Sequence, residues 1–226
     1  MAAGQETMSM AESRTQRGFI NHVVGKPFSQ VMVFDYARDA SGNIVLDGSG
    51  LPTASDKLTA MGTGVHPIFG GWSNEITFGN IAVSFLIDFK SGAVIYSGTN
   101  AIAYSSGLHQ ETLVGRDEGV SVNGGATNTA ENYYNRLSQI SALHVYDADF
   151  IKFRSLSLTY TVPNKLFAGK VRDLSISLTG RNLFYLKKST PNIDPEANYT
   201  NSNAQGLEYA GLPPVRTFGA NVSAKF

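Results

Sequence analysis

There is no cysteine among the 226 residues, which excludes a disulfide framework and any thiolate-held metal centre. Charge is scarce too: Asp, Glu, Lys and Arg make up 16% of the chain, and 18 basic residues balance 18 acidic ones. With no net positive field, and with the Lys and Arg scattered, the electrostatic basis for nucleic-acid binding is missing. No stretch approaches the roughly 18 to 20 consecutive apolar residues of a transmembrane helix, so a membrane would have to be crossed by strands. The opening MAAGQETMSMAESRTQRG has no basic stretch followed by an apolar one, so no secretory signal is read there. Such a start suits a cytoplasmic chain or an internal piece of a longer one.

What the sequence does have is glycine, small polar residues and aromatics in alternating runs. The last eleven residues, RTFGANVSAKF, put Phe218, Ala220, Val222, Ala224 and Phe226 in one register and Thr217, Gly219, Asn221, Ser223 and Lys225 in the other. Side chains of a strand point to opposite faces in turn, so this is a strand with one apolar face that reaches the final residue. Residues 81–89, IAVSFLIDF, alternate in the same way, as do 72–78, WSNEITF, and Gly79-Asn80 between them reads as a tight hairpin. A second pair is FIKFRSLSLTYTV (150–162) with VRDLSISLTGRNLFYL (171–186), and a weaker strand is FSQVMVFDYAR (28–38). In the 150–162 run the apolar register shifts: Ile151 and Phe153 are odd, Leu156, Leu158 and Tyr160 even. A bulge near Arg154, or exit from an apolar environment, each accounts for that.

The connections sort into short ones (Gly79-Asn80 and 163–170) and long ones (39–71, 91–146 and 187–214), all the short ones at one end of the sheet. Long loops of this kind are uncommon in compact soluble domains. Short turns on one side, long loops on the other and strands of about 9 to 11 alternating residues are the pattern of outer-membrane barrels. Phe78, Tyr160 and Phe226 would form one aromatic girdle, and Trp72, Phe89, Tyr96, Phe150, Phe153, Phe184 and Tyr185 the other. A soluble β-sandwich, for example a carbohydrate-binding module, explains the alternation equally well by packing sheet on sheet. The two differ in whether Leu156, Leu158, Leu174, Ile176, Val222 and Phe226 are buried in protein or bare.

The segments ADFIKFRSLSLTYTVP, RDLSISLTGRNLFYL, NIDPEANY and GLEYAGLPPVRTFGANVSAKF, with VGKPFSQV, GGWSNEITFGNIAVSFLIDFKSGAVIYSGTN and ENYYN upstream, together resemble the C-terminal part of the SusC/RagA family of TonB-linked outer-membrane proteins. The resemblance covers most of residues 23–226. It implies an all-β, antiparallel up-and-down meander of about six strands, one segment of a very large transmembrane barrel of about 22 strands with a plugged lumen. Residues 1–27 would be a poorly defined lead-in and 28–226 the barrel segment, with no plug domain. Six strands do not close a barrel, since the smallest bacterial ones have about eight.

The resemblance further implies uptake of oligosaccharides, glycans or peptides across the outer membrane of a Gram-negative bacterium of the Bacteroidota. A SusD-like surface lipoprotein would be the lid, and TonB would act only through the missing plug region. The lipid bilayer would be the solvent of the sheet. The final Phe226, with Phe218 and Val222 on its face, resembles the signal read by the outer-membrane assembly machinery. The chain would not transport anything by itself.

The loop NIDPEANYTNSN offers Asp194, Glu196, Asn198 and Tyr199 as contacts to substrate or lid, although a solvated loop needs no such role. His22, His66, His109 and His144 are too dispersed for a metal-ligand spacing. DASGNIVLDGSG (39–50) spaces oxygen side chains like a calcium loop, but Ile44 and Gly50 stand where Gly and Glu are required, so it reads as a turn. Asp88, Arg181 and Lys225 fall on the polar face, where structural pairing is the expected role. No phosphate loop, nucleophile elbow or catalytic carboxylate pair is present in the pattern, so neither an enzyme nor a cofactor is expected.

Overall fold

A computed structural model describes residues 4–122, 125–167, 171–198, 200 and 203–225. In chain order the strands begin with β1 (Thr7–Glu12), β2 (Gly18–Val23), β3 (Gln30–Tyr36), β4 (Ala54–Thr63), β5 (Ile68–Phe78), β6 (Ile81–Ser91) and β7 (Val94–Ser97). After helix α1 (Gly98–Ser105) come β8 (Val120–Ser121), β9 (Thr127–Asn128) and helix α2 (Ala130–Gln139). The chain continues through β10 (Val145–Asp147), β11 (Phe150–Thr161), β12 (Arg172–Lys188), β13 (Leu207–Glu208) and β14 (Thr217–Lys225). These elements divide into two units.

One unit holds residues 67–91, 149–194 and 213–226. It is a single antiparallel sheet in the order β14-β12-β11-β6-β5, each strand beside its neighbour in sequence among the strands of the sheet. Five of the six expected strands are here, and the sheet is an open up-and-down meander. Gly79 takes φ +58°, which the two-residue turn into β6 requires and which glycine adopts without strain. Its joint and the 162–171 connection lie at one end, since Phe78 pairs with Ile81 and Tyr160 with both Ile81 and Ile176.

The register shift is a bulge. Against β6 the pairing jumps between Phe153 and Ser155 and leaves Arg154 as the extra residue, while on the β12 side Arg154 stands opposite two residues, Asn182 and Leu183. Ile151 and Phe153 therefore share a face with Leu156, Leu158 and Tyr160, because the inserted residue offsets the change of parity in the sequence.

The second unit comprises residues 1–66, 92–148 and 195–212 within the described range. Its larger sheet runs β1-β2-β3-β4 and its smaller one β10-β7-β13, with β8 and β9 paired apart. The sixth expected strand, β3, is in this unit rather than in the meander. The core is built from Ile20, Val31, Val33, Tyr96, Ala101, Ala204 and Leu207. Tyr96 is completely buried, and its hydroxyl shares a 2.8 Å hydrogen bond with Thr15 Oγ1. Burial pushes its pKa up to about 12, so the phenol stays neutral and holds its bond at any physiological pH.

Gly18 lies against the Tyr96 ring so closely that a Cβ there would overlap it. Gly18→Ala is expected to destabilise this unit by about 1 to 3 kcal/mol through overpacking. Limited proteolysis of residues 1–66 should detect it; unchanged protection would show that the ring can shift.

A second cluster joins the helices. Ala130, Tyr134 and Leu137 lie at i, i+4 and i+7 on α2 and pack with Tyr104 and Ile140. Thr129 caps α2, its hydroxyl accepting from the Asn132 amide. Arg136 on α2 pairs with Asp47 at 2.8 Å. Asp47 also accepts from the Ser49 and Leu51 amides, as Asp39 does from Ser41 and Asn43, so the 39–50 stretch is two successive Asp-capped turns.

Candidate functional site

The meander has one apolar face, and that face is bare. Cross-strand registry lines up Ile76, Val83, Leu158, Leu178 and Ala220 in one row. The next row is Phe78, Ile81, Tyr160, Ile176 and Val222. Leu158 is 43% exposed, Leu178 56%, Ile176 42% and Val222 65%. A second sheet packed on this surface would bury these side chains, so the sandwich is not the architecture. An apolar face of this extent is a surface for a membrane or a protein partner to cover.

Toward the long-loop end, aromatic rings continue from strand to strand. Trp72 meets Phe85 edge-on at 5.2 Å, Phe85 stacks on Phe153 at 6.0 Å and Phe153 on Phe184 at 5.3 Å. This belt crosses β5, β6, β11 and β12. Tyr and Trp favour the level where hydrocarbon gives way to headgroups, and outer-membrane barrels carry aromatic girdles at both interfaces. Three members of the expected girdle are placed otherwise. Phe150 is buried, Tyr185 packs against it on the opposite side of the sheet at 5.6 Å, and Tyr96 is in the core of the other unit. Proximity in sequence to the loop ends put them in the girdle; the strand parity after the bulge and the packing of the loops take them out.

The opposite face is small and hydroxylated. Ser84, Ser157 and Thr179 form one row, and Thr159 shares a 2.9 Å hydrogen bond with Ser177. Asp88 and Lys225 on this face each have a charged partner. Arg154 Nε and one of its terminal nitrogens donate to the same Asp88 oxygen at 2.9 and 2.6 Å, and Lys225 pairs with Asp173 at 2.8 Å. A charge removed from bulk water persists where a partner is supplied in this way.

At the loop end of the meander a cavity of about 420 Å3 opens between β12, residues 192–194 and residues 213–216. Lys152, almost fully buried, forms its floor and donates to the Tyr185 hydroxyl at 3.1 Å. That hydroxyl in turn donates to Asp194 at 2.8 Å, and the Lys152 ammonium lies 4.4 Å from the ring centroid of Tyr185. Lys188 donates to the Ile193 carbonyl at 3.2 Å and, with Arg216, lines the opening.

No protein-family model matches the chain. Over 192 residues it is 29% identical to a TonB-dependent receptor P3 of Formosa agariphila, a match covering 80% of this chain and 18% of that protein. Among solved structures, it superposes on the RagAB peptide transporter with a TM-score of 0.68 at 16% identity, covering 98% of this chain and 25% of that one. The RagAB peptide importer in a closed-closed state gives 0.61 at 17% identity over 99% of this chain and 25% of that one. The resemblance to TonB-linked outer-membrane proteins of the SusC/RagA kind holds. This chain spans 18% of the length of the receptor it matches.

Phe218 and Val222 stand on the bare apolar face of β14, opposite Gly180 and Ile176. The Phe218 ring covers the missing side chain of Gly180. Phe226 lies outside the described residues. Asp194 lines the cavity, whereas Glu196 and Asn198 belong to the other unit, Asn198 being exposed. Tyr199 lies outside the described residues.

The sequence does not mark Lys152, Lys188 or Arg216 as site residues, and it marks Tyr185 only as a girdle aromatic. The one available signal was Lys152 set between Ile151 and Phe153, a cation facing away from an apolar strand face. Two of the four dispersed histidines do come together: His109 and His144 flank Tyr104 at 4.6 and 4.8 Å, and Tyr104 donates to Glu111.

Proposed function

We propose that this chain is part of the barrel wall and extracellular loops of a TonB-dependent outer-membrane transporter that imports oligosaccharides, glycans or peptides. The bare apolar face of an open meander supports this reading most, because exposed strand edges and apolar surface are tolerated only when a closed barrel in lipid completes them. In this reading the hydroxylated face lines the lumen, and a SusD-like lipoprotein closes over the extracellular loops. TonB acts through a plug that other residues of the receptor supply. Phe218, Val222 and Phe226 present the C-terminal strand to the assembly machinery.

An immunoblot of separated outer-membrane and soluble fractions, with antibody raised against residues 187–214, tests this. The expected band is confined to the outer membrane and several times heavier than 24.3 kDa. A soluble 24.3 kDa band would overturn the reading. In the same cells, Phe226→Ala should lower the amount assembled in the outer membrane severalfold; unchanged assembly would remove the terminal residue from that role.

A further inference from the structure

We propose that the cavity beside Asp194 is a binding subsite for the carboxylate of an acidic ligand, with Arg216 and Lys188 as the anion-holding groups. The inference rests on the import reading above and adds a chemical class to it. Three cationic side chains, Lys152, Lys188 and Arg216, line the cavity against the single carboxylate of Asp194. The Tyr185 hydroxyl holds that carboxylate at 2.8 Å and is itself held by Lys152, so the floor is knit together and oriented. The positive charge at the mouth exceeds what the floor neutralises.

Chemistry at the mouth matches an anion. Lys188 spends one donor on the Ile193 carbonyl at 3.2 Å, and an ammonium has three. Arg216 offers a planar guanidinium fork, the geometry that accepts both oxygens of a carboxylate. The wall adds a different partner. Asn182 donates to the Val215 carbonyl at 3.1 Å while its Oδ1, buried, has no hydrogen-bond partner among the described residues. That acceptor faces a donor shortage that a ligand hydroxyl or amide would relieve.

Asn182 holds this position with φ +56°, a left-handed backbone that favours few residues besides Asn and Gly. The strain falls where β12 departs from its pairing with β11, between Arg181 and Phe184, and it turns the amide toward the 213–216 segment. The volume of about 420 Å3 is that of a small-ligand site rather than a water pocket. An acceptor for a hydroxyl or amide, a cationic pair for a carboxylate and the flat surfaces of Pro213 and Pro214 together describe one end of an acidic saccharide or of a short peptide.

The test uses the intact receptor that carries these residues, purified in detergent, with calorimetric titration of two probe pairs. One pair is a glucuronate-terminated trisaccharide and its carboxyl-reduced neutral counterpart. The other is a tripeptide with a free C-terminal carboxylate and its amide. In at least one pair the acid should bind tenfold or more tightly than the neutral form, and the pair that does so names the source of the carboxylate.

Arg216→Gln should abolish that preference, Arg216→Lys should retain most of it, and Lys188→Gln should reduce it severalfold. Resistance of each variant to trypsin checks that it is folded. Equal binding of acid and neutral forms, no binding of any probe, or an undiminished preference in Arg216→Gln each overturns the subsite. None of these outcomes touches the import reading, which stands or falls on fractionation.

Discussion

Leu158→Arg is expected to cost about 2 to 4 kcal/mol of folding free energy in a bilayer, the price of an arginine near the membrane midplane on the outer face of a barrel strand. Leu158 is at the middle of β11, with Val83 on one side and Leu178 on the other, and its side chain is on the bare face. The neighbouring Ser157→Arg places the same cation on the hydroxylated face, beside Ser84 and Thr179, where water or a partner charge can solvate it. Its expected cost is under about 1 kcal/mol, as for a surface substitution. Urea titration of the intact protein folded into phospholipid vesicles, with heat-modifiable gel mobility as the signal, reads both. Equal costs for the two variants would mean that the two faces meet the same medium, and the lipid assignment would be lost.

The second large effect is one of pH and belongs to the helical cluster. His144 is fully buried between α2 and Tyr104. Burial lowers its pKa to about 4; the Leu137 backbone and the Glu111 carboxylate raise it, and nearby His109 lowers it. Neither ring nitrogen makes a well-formed hydrogen bond. Tyr104 and Tyr134, the other ionisable neighbours, have raised pKa values, mainly through burial, so both are neutral phenols here.

The sign follows from where the proton goes. Above about pH 6.5 the ring is neutral in folded and unfolded chains alike, and His144 contributes no pH dependence. Between about 6.5 and 4 the unfolded chain takes up a proton that the folded one excludes, so stability falls as pH falls, by up to about 3 kcal/mol. Below about 4 the slope from this residue vanishes, because both states are protonated. Hydrogen exchange of the α2 amides from pH 7 to 4 should show protection falling, and His144→Phe should flatten the dependence. Parallel profiles in the two proteins would clear His144 of the effect.

The meander was legible because its strands obey a two-residue period over 9 to 17 residues and its turn carries Gly79-Asn80. The break at Arg154 was legible as a break; which of two causes applied took the pairing of β11 with β6 to decide. Strands β1 and β2 passed unnoticed, since TMSMAE is half polar and GFINHV offers one short apolar alternation without a turn signal. Helix α2 did leave a trace in Ala130, Tyr134 and Leu137 behind a capping Thr129, but it was lost within a stretch read as one long loop.

The candidate site was barely legible. Asp194 was marked as an acid on a loop, which is a property of its own sequence neighbourhood. The cations that share its cavity come from β11, β12 and the entry to β14, 42 residues before it to 22 after it along the chain. Such a meeting depends on strand order and register, and no local pattern encodes it. The burial of Lys152 is likewise a tertiary fact, since an isolated lysine between two apolar residues is ordinarily solvated.

The extra residue in β11 also constrains how this wall can change over generations. Losing Arg154 alone would turn Leu156, Leu158 and Tyr160 inward and Ser155, Ser157 and Thr159 outward, or else turn Ile151 and Phe153 instead. Either way half a strand would be inside out, and Asp88 would lose the cation that compensates it. Viable length changes in β11 are therefore confined to pairs of residues or to paired gains and losses in both β6 and β12. Lineages should differ here in even steps, a parity rule that an insertion in the neighbouring loops has no reason to obey.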